Sequence, residues 1–148
     1  MRVSVIGGST IDQEIAKTAE AVGSELASRG HTVVCGGLGG VMEAACRGAV
    51  AAGGETIGIL PTDRVADAND YVTTPIATGL GHARNPIVVL NGDAAIAIDG
   101  AGGTLSELGF TRVFEKPTAG INTYEIDGIK PVGTAAEAVN YVESAVGE

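Results

Sequence analysis

The sequence predicts an α/β fold: one Rossmann-like, doubly wound, mostly parallel sheet with helices on both faces. Three observations point to it. Short apolar runs alternate with helix-length amphipathic stretches along the whole chain. The runs are continuous rather than alternating, as strands read when helices cover both faces of a parallel sheet. Paired glycines recur where a run gives way to a helix, and such sheets bind ligands beyond the carboxyl ends of their strands.

In chain order, RVSVI (2–6) is the first strand and stops at Gly7-Gly8. From Thr10 to Arg29, Ile15, Ala19, Val22 and Leu26 recur at helical spacing, and Gly30 supplies the stop. TVVC (32–35) is the second strand, GGLGG (36–40) its turn, and VMEAACRGAVAAG (41–53) an Ala-rich buried helix. ETIGIL (55–60) is the third strand, closed by Pro61 and followed by a polar loop over 61–70. YVTTPIAT (71–78) reads as an edge strand because Pro removes a ladder donor. GHARNPIVVLNG (81–92) has helical spacing, and Pro86 suits a first turn, so this helix is expected to start near Asn85. AAIAID (94–99) is a strand, TLSELGFTRVFE (104–115) a helix and TAGIN (118–122) a weaker strand. TYEIDGIKPVG reads as irregular or as a hairpin, and TAAEAVNYVESAV (134–146) as a terminal helix with Ala135, Ala138, Val139 and Val142 on one side.

A length of 148 residues, with no repeat and no linker, predicts one domain over 1–148. There is no Trp and only two Phe, so the core must be aliphatic. The net charge is −9, which opposes binding to nucleic acid or to anionic membranes; neither partner is expected. Few Lys, many acids and much Ala resemble the composition of salt-adapted (halophilic) cytoplasmic proteins. Cys35 and Cys46, with no Cys-x-x-Cys, suit a reducing interior and small buried roles. The start is a strand rather than a signal peptide, and no apolar run is long enough to span a bilayer, so a cytoplasmic protein is expected. His31 and His82 have no Cys or acidic neighbour at ligand spacing, so no metal site is predicted.

Three turns fall at strand ends: Gly7-Gly8-Ser9-Thr10, Gly36 to Gly40, and Gly100-Ala101-Gly102-Gly103-Thr104. Glycine lets the backbone approach a ligand, and the free N–H groups of the following helix favour an anion. No Gly-Lys-Ser/Thr of a Walker A loop occurs, and no G-x-G-x-x-G follows the first strand. Arg84 is the only Arg or Lys between 65 and 111, and a bidentate cation suits a phosphate. Thr104-Leu105-Ser106-Glu107 fits a capping box, with Thr104 as N-cap and Glu107 reaching back, as well as it fits chemistry. Glu43 is placed to pair with Arg47 one turn on. Ser9 or Thr10 could touch a phosphate or cap the first helix.

GGLGGVMEA, TIGILP, TGLGHARN and GGTLSE together resemble the LOG-like proteins, once misnamed lysine decarboxylases, and especially their small single-domain branch that includes molybdenum cofactor carriers. The resemblance covers nearly the whole chain and keeps the motif order. It implies a Rossmann-like fold, usually dimeric, so a homodimer or higher homo-oligomer is expected. The family's enzymes cleave nucleoside 5′-monophosphates to free base and ribose 5-phosphate, with a Pro-Gly-Gly-x-Gly-Thr-x-x-Glu signature and an upstream Arg. Gly103, Thr104, Glu107 and Arg84 match. Asp99 stands in place of Pro, Ala101 in place of the second Gly, and Asn85 follows Arg84 where the enzymes have Lys. The three turns and the matched stretches together make Gly7, Gly8, Ser9, Gly36, Gly37, Gly39, Gly40, Thr78, Gly79, Gly102, Gly103 and Thr104 candidate ligand- or phosphate-binding residues. Arg84 and Glu107 are the candidate catalytic ones.

Two classes of function follow. As a phosphoribohydrolase, the chain would use Glu107 to stabilise an oxocarbenium-like state and Arg84 to orient an AMP-like nucleotide. As a carrier of the molybdenum cofactor, or as a nucleotide-sensing module, it would use the same turns for a phosphate and Glu107 only as a cap. The residues alone leave these open, and no resident cofactor is assigned.

Overall fold

The structure is a computed structural model. It describes residues 1–147; residue 148, the last of the predicted domain, lies outside them. The strands are β1 (Arg2–Gly7), β2 (Thr32–Cys35), β3 (Thr56–Leu60), β4 (Thr74–Ala77), β5 (Ala94–Ile98), β6 (Thr118–Ile121) and β7 (Ile129–Pro131). The helices are α1 (Gln13–Ser28), α2 (Val41–Ala51), α3 (Asn85–Leu90), α4 (Gly102–Val113) and α5 (Ala135–Val146). One seven-stranded sheet runs in the order β4-β3-β2-β1-β5-β6-β7. Every pairing in it is parallel. The chain therefore winds outward from β1 to β4, returns to the other side of β1 and winds outward again. The switch point lies between β1 and β5, where Gly7 is level with Ile98.

The pleat explains both layers, because successive side chains point to opposite faces. Val3, Val5, Val33, Ile96 and Ile98 meet α1, α2 and α5 through Val22, Leu26, Ala45 and Val139. Ile6, Val34, Ile59 and Ala97 meet α3 and α4 through Val88 and Leu108. Ser4 faces this second layer, where its hydroxyl donates to the Val88 carbonyl at 2.7 Å. With so few aromatics, small residues let the helices approach closely. A Cβ at Gly23 of α1 would collide with the Ala45 carbonyl of α2, and one at Gly48 with the Glu20 carbonyl of α1.

Three local expectations are corrected. The α1 helix starts at Gln13, not Thr10, because Asp12 is its cap: its carboxylate accepts the Ile15 N–H at 2.9 Å. Neither Ser9 nor Thr10 caps it. Of the two readings of the 123–133 stretch, the hairpin fails: the chain is irregular to Gly128 and then delivers β7 parallel to β6, with Thr118 level with Ile129. Arg47 pairs with Glu20 across the α1–α2 contact at 3.1 Å, rather than with Glu43 on its own helix. The stretch ahead of Asn85 is a 3-10 turn over Gly81–Arg84, and α3 starts at Asn85 as Pro86 predicts. The β4 strand lies at the sheet edge, as its Pro requires. No helix among the described residues is long and apolar enough to cross a membrane.

Candidate functional site

The three glycine turns meet at the switch point. A cleft of about 170 Å³ is lined there by Gly7, Gly8 and Ser9 after β1, by Gly36 and Leu38 after β2, and by Ala101, Gly103 and Thr104 after β5. Backbone contact holds the first two turns together. The Val41 N–H at the start of α2 donates to the Gly8 carbonyl at 3.0 Å. Gly40 adopts a φ of 67°, and a Cβ there would collide with that same carbonyl, so only glycine serves.

Arg84 forms the floor and is only 7% exposed. Its Nε donates to the Ile59 carbonyl at 2.8 Å, its Nη2 to the Gly36 carbonyl at 3.3 Å and its Nη1 to Asn85 Oδ1. Asn85 Nδ2 in turn donates to Ser106 Oγ on α4 at 3.2 Å. A continuous polar chain thus ties the second turn to the helix that carries Glu107. Burial pulls the Arg84 pKa down, and the facing Glu107 and Cys35 hold it up. A guanidinium stays charged under such conditions.

Glu107 is not a cap. The α4 helix begins at Gly102 with Ala101 as its N-cap, and the Thr104 hydroxyl accepts the Ala101 N–H at 3.3 Å. Thr104 therefore stands at the third helical position, and Glu107 lies one turn deeper, in the cleft and 7% exposed. Burial pushes its pKa up to about 7, with Arg84 opposing the shift. A buried carboxyl beside a buried guanidinium in a cleft can accept, hold or donate a proton near neutral pH.

Of the other candidates, Gly37, Gly39, Gly40 and Gly102 shape the turns without lining this cleft. Thr78 and Gly79 also lie outside it: the Thr78 hydroxyl donates to the Leu60 carbonyl at 2.6 Å and the Gly79 N–H to the Thr62 carbonyl at 2.9 Å, which folds the chain back after β4. Asp99 lines a separate hollow with Asp12 and Glu14, and its carboxylate lies against the back of Gly8. Sequence reasoning missed Met42 and His82 as lining residues. His82 sits two residues before Arg84 and could have been found from that spacing; Met42 carried no such signal. Beneath the second turn, Cys35 and Cys46 are buried with their sulfurs 3.5 Å apart. The Cys35 sulfur also accepts the Gly37 N–H.

Comparison with known proteins agrees with this architecture. An uncharacterised protein of Archaeoglobus fulgidus is 40% identical over 146 residues, covering 98% of this chain and 96% of that one. The molybdenum cofactor binding protein from the phototrophic bacterium Rippkaea orientalis is 30% identical, with a TM-score of 0.92 over 98% of this chain and 96% of that one. The molybdenum cofactor carrier protein of Chlamydomonas reinhardtii is 28% identical, with a TM-score of 0.91 over 99% and 98%. The model of the SLOG cluster4 family matches residues 1–146, and this chain belongs to that family.

Proposed function

We propose that this protein binds the phosphate end of a pterin cofactor of the molybdenum cofactor class and carries it intact. The observation that carries this reading is a cleft suited to one end of a ligand. Its walls are glycine backbone and the first turn of α4, where unpaired helix N–H groups favour an anion. A buried cation forms its floor. Its volume of about 170 Å³ is below the roughly 300–1,000 Å³ of sites that enclose a small ligand. The remainder of the cargo then lies beyond this cleft. Likeness to two molybdenum cofactor proteins over nearly the whole chain supports the same reading.

The test is to express the protein in a host that makes the cofactor, oxidise the purified protein in acid and quantify fluorescent pterin. Stoichiometric pterin is expected from the wild type and a large loss from Arg84→Ala. Absence of pterin from the wild type overturns the reading.

One observation favours a second reading, hydrolysis of nucleoside 5′-monophosphates. A carboxyl titrating near 7 beside a cleft is suited to general acid–base work. Incubation with AMP and chromatography for free adenine decides it, and release of adenine that Glu107→Gln abolishes would favour the enzyme.

A further inference from the structure

A second cavity, of about 620 Å³, lies under the segment that joins β6 to β7. From its lining residues and its contact with the phosphate turn, we infer that this cavity holds the ring of the same ligand, and that it selects a 2-amino-4-oxo heterocycle of the pterin or guanine type. The inference rests on the phosphate-end reading given above.

Tyr124 connects the larger cavity to the phosphate turn. It lines the larger one, is 39% exposed, and its ring packs on Gly100 so closely that a Cβ there would lie 2.8 Å from Cε2. The next residues of that turn, Ala101, Gly103 and Thr104, line the phosphate cleft. A ligand with its phosphate at the turn therefore has an aromatic surface beside it when it crosses to the larger cavity. Aromatic side chains stack flat heterocycles in a sequence-tolerant way, so Tyr124 supplies affinity more than choice.

Choice comes from the polar groups. The cavity is lined by Asn122, Glu125 and Asp127, with no Lys or Arg among its lining residues, and by the apolar Ile129 and Val132. Asn122, Glu125 and Asp127 can all accept hydrogen bonds, and the two carboxylates can only accept when ionised. Pterin and guanine rings present a ring N–H and an adjacent amino group on one edge, a pair of donors that fits one carboxylate. Adenine presents a ring acceptor beside its amino group and repels a carboxylate there. The same acids disfavour a phosphate, so the ligand has one orientation: anion toward Arg84, ring toward Glu125 and Asp127.

The experiment is calorimetric titration of the full chain with GMP, AMP and ribose 5-phosphate. GMP should bind at least about tenfold more tightly than AMP, the discrimination expected of one bidentate pair. Tyr124→Ala should weaken both nucleotides and leave ribose 5-phosphate unchanged. Glu125→Gln and Asp127→Asn, both exposed changes that spare the core, should together bring GMP down to the AMP level. Arg84→Ala should weaken all three ligands. Equal affinity of the wild type for GMP and AMP, or a GMP preference that survives the acid variants, overturns the ring subsite while ribose 5-phosphate binding keeps the phosphate cleft. Binding of none of the three ligands overturns the phosphate cleft, and the ring subsite with it.

Discussion

At the scale of single residues, Glu107 is a charge that the fold holds at a cost. Its carboxyl titrates at 4.5 in an ordinary setting and at about 7 in the fold. The folded state binds that proton more tightly than the unfolded chain. The stabilisation this confers is fully present below 4.5 and is lost as pH rises through about 7. A tenfold difference in proton affinity is worth about 1.4 kcal/mol, so the loss is on the order of 3 kcal/mol. Glu107→Gln mimics the neutral form and has no charge to bury. It should match the parent near pH 4 and exceed it by up to about 3 kcal/mol near pH 8, as read from urea unfolding at each pH. Parallel stability curves for the two proteins would remove burial of this charge as the cause. The sequence marked Glu107 and Arg84 by their motif but misplaced the helix start. Thr-x-x-Glu spacing is the same whether α4 begins after Thr104 or after Ala101. The decision falls to Gly102 and Gly103, which are poor helix formers and yet helical here.

At the scale of elements, glycine has opposite meanings at two helical positions. Gly23 touches the α2 backbone, whereas Gly109 on α4 is exposed and has open space where a Cβ would go. Gly23→Ala should force α1 from α2 and destabilise by about 1–3 kcal/mol, the usual cost of overpacking. Gly109→Ala should stabilise by about 0.5–1 kcal/mol through helix propensity and a less flexible unfolded chain. Urea midpoints of the two variants should move in opposite directions; a shared direction would mean that α1–α2 contact does not set the sign. Strand and helix identities were legible wherever a period ran for more than one turn or pleat. The β7 strand was not, because it is three residues long with one buried side chain, Ile129, too short for alternation to register. Asp12 escaped notice as a cap because Ser9 and Thr10 precede it with equally suitable side chains. No local pattern announces Tyr124 either, since its role depends on Gly100, which is distant in sequence.

At the scale of the whole molecule, nine excess negative charges repel one another. Salt screens such repulsion over about 10 Å at 0.1 M. Thermal scans from low to molar potassium chloride should give a melting temperature that climbs and then levels; a flat or falling curve would leave the acidic surface without a stability role. The sheet order is also an order in time. β1 is flanked by β2, which follows within one helix, and by β5, which begins only at Ala94. A chain emerging from its N-terminus carries β1 as an open edge, with Val3 and Val5 on it, until β5 arrives. Pairings this distant are slow to form, and open edges invite association with other chains. Arg84 and the first two turns are made before Thr104 and Glu107, so the cleft lacks its third wall until α4 has emerged. A ribosome stalled before Ala94 would display a sticky half-sheet whose cleft is still open on one side, and only a polypeptide whose second half has closed the first presents the finished cleft.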